Sequence, residues 1–223
     1  LSSIAHSFDE VSLAIEQLDR AVYLIEGIQR PAEQLDKARL GFIKRNALMV
    51  KSSVQEKGLA HAATMRSYQQ LIVAFRYSSS FLKQLATEYS GEAIKELVDI
   101  HEAIVKARGF DDTPYTQITA NVFGEMYQLV KQLSTVSVLP AGLKPKLDAL
   151  IPKIGNVIAI AKQGDRPKTF KAAVPLSQEI TALYGDLGKV QHANSAFDIV
   201  LDIQGLNEFY AEFAQIEGLD KNP

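Results

Sequence analysis

Residues 4–26, IAHSFDEVSLAIEQLDRAVYLIE, carry the pattern that decides the fold class. Ile4, Phe8, Val11, Ile15, Leu18, Val22 and Ile25 recur at alternating steps of four and three. Positions three and four apart share a face of an α-helix, so this spacing draws one apolar stripe along a helix. Asp9, Glu10, Glu16, Asp19 and Glu26 fall off the stripe. Gly27 and Pro31 punctuate it, and Pro31 suits the first turn of a following helix.

Downstream the same step persists. Leu40, Ile43, Ala47, Val50 and Val54 form one seam, and Tyr68, Leu71, Phe75, Leu82 and Leu85 continue it in phase. The seam positions between them are Lys57, His61 and Thr64, with Ser78 further on. Two structures fit. A hairpin could turn near Gly58, or one helix could run over 31–88, roughly 85 Å at 1.5 Å per residue. A glycine inside a helix costs only about 1 kcal/mol relative to alanine. The preserved phase therefore favours one helix, kinked or straight.

Ser90-Gly91 separates a third stripe of Ile94, Leu97, His101 and Ile104, closed by Gly109. Asp112-Thr113-Pro114 opens the next helix, with Ile118, Val122, Met126, Leu129, Leu133 and Val136 as its stripe. Leu143, Leu147, Leu150, Ile154, Val157 and Ala161 form another, in which Pro152 should kink the helix by removing a ladder bond. Residues 163–167 are a turn cluster, and Phe170–Leu187 is a weaker helix interrupted by Pro175. Ile199, Ile203, Leu206, Phe209, Phe213 and Ile216 line the last, ahead of Gly218. Period-two runs are nearly absent, Val136–Leu139 being the one short β-like stretch. The pattern predicts an all-α protein, an elongated antiparallel bundle of about six or seven amphipathic helices. Residues 1–223 then form one domain, or two stacked sub-bundles that share the helix 31–88.

Composition narrows the chemistry. A chain of 223 residues with 47% hydrophobic and 22% charged side chains can bury a sizeable core. A net charge of −2 lacks the basic bias of nucleic-acid binding, so none is expected. With no cysteine there is no disulfide, zinc–thiolate site, iron–sulfur cluster or thiol nucleophile. No run of eighteen apolar residues exists to span a bilayer. Leu1-Ser2-Ser3 reads as a processed end, so membrane association is expected only through an anchor already removed. That end and the lack of cysteine fit a periplasmic or extracellular protein.

Charge is laid down in blocks. Residues 1–36 hold two basic and seven acidic side chains, and 37–76 hold eight and one. Residues 139–175 hold seven basic and two acidic, and 176–223 hold two and eight. Acidic outer helices and basic inner ones would pair side by side on a bundle surface. The sharper alternative, a basic face for an anion, would need aromatic or arginine reinforcement that Lys37, Arg39, Lys44, Arg45 and Lys51 do not clearly supply.

The candidate ligand site is the polar break in the seam. On a continuous helix Lys57, His61 and Thr64 point inward, where polar groups need partners. Lys57 would meet a small anionic ligand, His61 and Thr64 would orient it, and Val54 and Tyr68 would wall the pocket. A turn at Gly58 would instead leave these residues exposed at a helix end. His101 lies five residues from Glu96, without the Glu-x-x-His pairs of a di-iron bundle, so no metal is expected. No phosphate loop, G-x-S-x-G or H-E-x-x-H occurs, so the chain is read as non-enzymatic and without a cofactor.

The leading expectation is an extracytoplasmic ligand-binding or sensory bundle. Its architecture is similar to the helical sensor modules of bacterial chemoreceptors, a likeness of architecture alone. The alternatives are an interaction or scaffold bundle offering helix faces to a partner protein, and a component of an α-helical pore-forming toxin built on Leu143–Ala161.

Overall fold

The computed structural model describes residues 16, 19–27, 34–58, 61, 63–75, 95, 99, 114–191 and 195–219. They are helical apart from short turns, with no strand among them. The protein is an all-α helical bundle, as the three-four spacing predicts. The stripe Ile4–Leu18, the seam positions Ser78, Leu82 and Leu85, and the segment Ile94–Gly109 with His101 lie outside the described residues; of the last, only 95 and 99 are described, both helical. No described helix is long and apolar enough to cross a membrane.

The chain divides into two compact units, Leu1–Asp111 with Gly218–Pro223, and Asp112–Glu217. In the first, α1 covers 19–27, α2 is Gln34–Lys57 and α3 covers 63–75. All five residues of the α2 seam, Leu40 to Val54, are buried. The continuous helix over 31–88 is corrected. Helix α2 stops at Lys57, and Gly58 follows with φ of 77°, a left-handed conformation that glycine adopts without strain. The Gly58 amide donates to the Val54 carbonyl at 3.0 Å, closing the last turn. The Thr64 hydroxyl then donates to the Ser53 carbonyl at 3.2 Å. Eleven residues apart on one helix those groups would be separated by about 16 Å. The chain has doubled back.

Spin labels at Leu48 and Gln69, both exposed, check this directly. The hairpin places them opposite each other at under about 20 Å, given interaxial distances of 8–10 Å. A continuous helix would hold them about 30 Å apart.

In the second unit, α4 is Tyr115–Ser134, α5 Leu143–Lys162, α6 Arg166–Ala182, α7 the short Tyr184–Leu187, and α8 Ser195–Leu219. Helix α4 packs on α5 and α6, and α5 packs on α6. The six predicted seam residues of α5 are all buried. Pro152 lies inside α5 but is exposed, so the carbonyl it strips of a donor can face water. Pro114 is the N-cap of α4, one place before the helical first turn. The link from α5 to α6 is three residues long. Gly164, at φ 75°, ends one helix, and the Asp165 carboxylate accepts the Lys168 amide at 3.0 Å to cap the next. Pro167 occupies the first turn, so α6 begins four residues before Phe170. It runs through Pro175 and ends at Ala182, and Gly218 lies within α8.

The charge blocks meet as pairs. In the first unit Lys51 Nζ lies 2.5 Å from Asp19 and Lys44 Nζ 2.8 Å from Glu26. In the second, Lys146 contacts Asp186 at 2.5 Å, Lys153 contacts Glu179 at 2.6 Å, and Arg166 pairs with Glu217. Within the first two helix pairs one residue number rises as the other falls, which fixes α1 against α2 and α5 against α6–α7 as antiparallel neighbours. Arg166–Glu217 with the Asn207–Ser177 hydrogen bond does the same for α6 and α8. An exposed pair contributes about 1 kcal/mol or less, so these pairs select register more than they add stability.

Asp186 shows the effect best. Hydrogen bonds from Lys146 and then Lys189 hold its carboxyl down at about 2. A depressed carboxylate stabilises the fold above its unfolded value near 4, and that contribution is lost as pH falls toward 2. In a carboxyl NMR titration Asp186 should protonate near pH 2 in the parent and rise toward the ordinary value in Lys146→Met. An unchanged midpoint in that variant would contradict the pairing.

Candidate functional site

The turn at Gly58 rearranges the predicted ligand site. Lys57 is exposed in the last turn of α2, where its charge suits the carboxyl end of the helix dipole. His61 is also exposed, and its Nδ1 accepts the Ala63 amide at 3.2 Å, as an N-cap would for α3. Thr64 is fully buried, with its hydroxyl donating to Ser53. Tyr68 is half-buried on α3 and Val54 is buried on α2. Two of the four candidate residues therefore stand in solvent at helix ends. Of the other two, Thr64 joins α3 to α2 and Tyr68 is half-buried on α3.

The interior of the second unit is polar in two places. Tyr115 and Tyr210 share a hydroxyl–hydroxyl hydrogen bond of 2.6 Å within a cluster of rings. Phe213 stacks on Tyr115 at 5.2 Å between centroids, and Phe123 meets Tyr210 edge-on at 4.8 Å. Burial pushes both phenols above their ordinary range, so neither is an acid at neutral pH. The Arg166 guanidinium lies 5.9 Å from the Tyr115 ring centre and pairs with Glu217, whose side chain is 5% exposed. Further along, the Asn207 amide donates toward the Ser177 carbonyl and the hydroxyls of Thr181 and Tyr184, at 2.9–3.2 Å. Tyr184 in turn donates to the Gln204 carbonyl at 3.1 Å. These bonds tie α6, α7 and α8 together, while Asn207 Oδ1 is buried without a hydrogen-bond partner among the described residues. Their visible work is to position helices. Among the described residues no group of three His, Asp or Glu side chains is placed to hold a metal ion.

What remains is a surface feature of the first unit. The pairs Asp19–Lys51 and Glu26–Lys44 set the register of α1 on α2, and that register brings Tyr23 level with Leu48. Tyr23 is 66% exposed and Leu48 43%. They are two of the four large apolar residues that are exposed among the described ones; the others are Val138 and Leu201 in the second unit. Single exposed apolar residues are ordinary. Two at one level, with an ion pair above and another below, are not scattered. Arg20 lies over the Tyr23 ring at 5.4 Å and holds it in place. Gly27 and Gly41 lie beyond the Glu26–Lys44 pair, and a Cβ added at either would meet nothing within 4 Å. The sequence pattern passes over this edge because Tyr23 and Leu48 each sit one position off a seam, beside Val22 and Ala47. The available signal was an apolar residue beside a seam on each of two helices joined by opposite charge.

Comparison of the chain with protein-family models, with curated proteins and with solved structures finds no match.

Proposed function

We propose that this protein is a non-catalytic helical-bundle binding protein that acts by presenting the Tyr23–Leu48 edge of α1 and α2 to another protein. The observation that carries this reading is the exposure of Tyr23 and Leu48 at one level of α1 and α2, between two ion pairs. Tyrosine and arginine are, with tryptophan, enriched among the residues that carry binding energy at protein interfaces, and a polar rim around an apolar centre is the anatomy such interfaces share. The complementary surface is an apolar knob flanked by charges of both signs.

A photo-crosslinking amino acid placed at position 23, and separately at the exposed Gln178 of the other unit, tests the proposal in cells that make the protein. Position 23 should give a discrete adduct, identifiable by mass spectrometry, and the identified partner should bind the purified parent but not Tyr23→Glu. Equal, diffuse labelling from both positions would overturn it.

A further inference from the structure

We infer that the occupant of the Tyr23–Leu48 edge is a second copy of this chain, packed as an isologous dimer; this rests on the interaction reading above. The edge is self-complementary in charge. Helix α1 presents Asp19 and Glu26, α2 presents Lys44 and Lys51, and the carboxylates of both ion pairs are about half exposed. Two copies can meet face to face about a two-fold axis in two ways. With the axis across the helices, α1 lies on α1 and α2 on α2, setting carboxylate against carboxylate and lysine against lysine.

With the axis along the helices, α1 of one copy lies on α2 of the other. Asp19 and Glu26 then face Lys51 and Lys44 of the second copy, at the heights they already hold within one chain. Tyr23 meets Leu48 of the second copy, twice over, as an isologous contact requires. Charge selects the second arrangement, because like charges placed opposite one another are the stronger penalty.

The test uses the intact chain, which lacks cysteine, so single introduced thiols report on this contact alone. Tyr23→Cys protein mixed with Leu48→Cys protein should form a mixed disulfide at least about tenfold faster than either variant crosslinks to itself. Sedimentation supplies a second arm. The parent should run at twice the chain mass at tens of micromolar, and Tyr23→Glu should be at least tenfold weaker. Asp19→Lys/Glu26→Lys and Lys44→Glu/Lys51→Glu should each be monomeric alone and dimeric when mixed, with circular dichroism showing that each is folded. A parent that stays monomeric to about 100 μM overturns the inference, as does preferential crosslinking of Tyr23→Cys to itself. A monomeric parent whose position 23 still captures one identified partner in cells would overturn the second copy alone. Loss of both would overturn the interaction edge as well.

Discussion

Replacing Phe213 with alanine should lower the stability of the Asp112–Glu217 unit by about 3–5 kcal/mol, the range for deleting a buried aromatic ring. Phe213 is fully buried in α8 and stands where three rings meet, stacked on Tyr115 and within 6.4 Å of Phe209 and Tyr210. Alanine removes the apolar area and leaves a cavity whose walls are other rings, held by a hydrogen bond between Tyr115 and Tyr210 that resists collapse. The melting temperature of this unit should fall by roughly 10–20 °C. Phe213→Leu keeps most of the volume and should lose about half as much. Thermal unfolding followed by near-ultraviolet circular dichroism checks both, since the signal comes from the same rings. A loss of less than about 1 kcal/mol for alanine would mean the ring cluster does not organise this unit.

The second large effect is an asymmetry. Arg166 caps Glu217 from the solvent side, with 37% of the arginine side chain exposed against 5% of the glutamate. Arg166→Met strips the buried carboxylate of its cation, and an unpaired buried charge costs about 3 kcal/mol or more. Glu217→Gln leaves the arginine within reach of water and keeps an oxygen that can accept its hydrogen bond, so the loss should be about 1 kcal/mol or less. The double variant Arg166→Met/Glu217→Leu should recover most of the loss, because no charge is then buried. Urea unfolding at neutral pH separates the cases. Equal effects of the two single changes would contradict the placement of Glu217 in the interior.

Where one apolar stripe faces one core, the sequence pattern reads correctly. Every seam residue of α5 and every α2 seam residue up to Val54 is buried. The stripe on α1 is less faithful: Ala21, Leu24 and Ile25 are buried while Val22 is half-buried. Apolar residues there occupy more than one face, and burial rather than spacing decides which turns inward. The error at Gly58 has a specific cause. Phase is a property modulo seven residues, so two helices joined by a short turn can keep it by accident. A glycine inside a helix is a cost, whereas a left-handed cap is the position that favours it. The candidate ligand site depended on that phase and moved with it.

The charge blocks were legible because helices of opposite sign, if antiparallel, meet along their length. The Asp19–Lys51 and Lys146–Asp186 pairs show this in both units. The Tyr23–Leu48 edge was not legible, since a search for stripes passes over single apolar residues beside them.

Tyr23 is proposed to serve binding and not folding, and one paired measurement separates the two roles. The photo-crosslinker is placed at Leu48, and Tyr23 is either kept or changed to alanine. A side chain 66% exposed contributes little to the fold, so the melting temperature should move by no more than about 2 °C. The crosslinked yield should fall at least tenfold, as for a residue at the centre of an interface. A chain that loses stability and keeps its crosslinks would show that Tyr23 is structural and that the edge is not where this protein meets its partner.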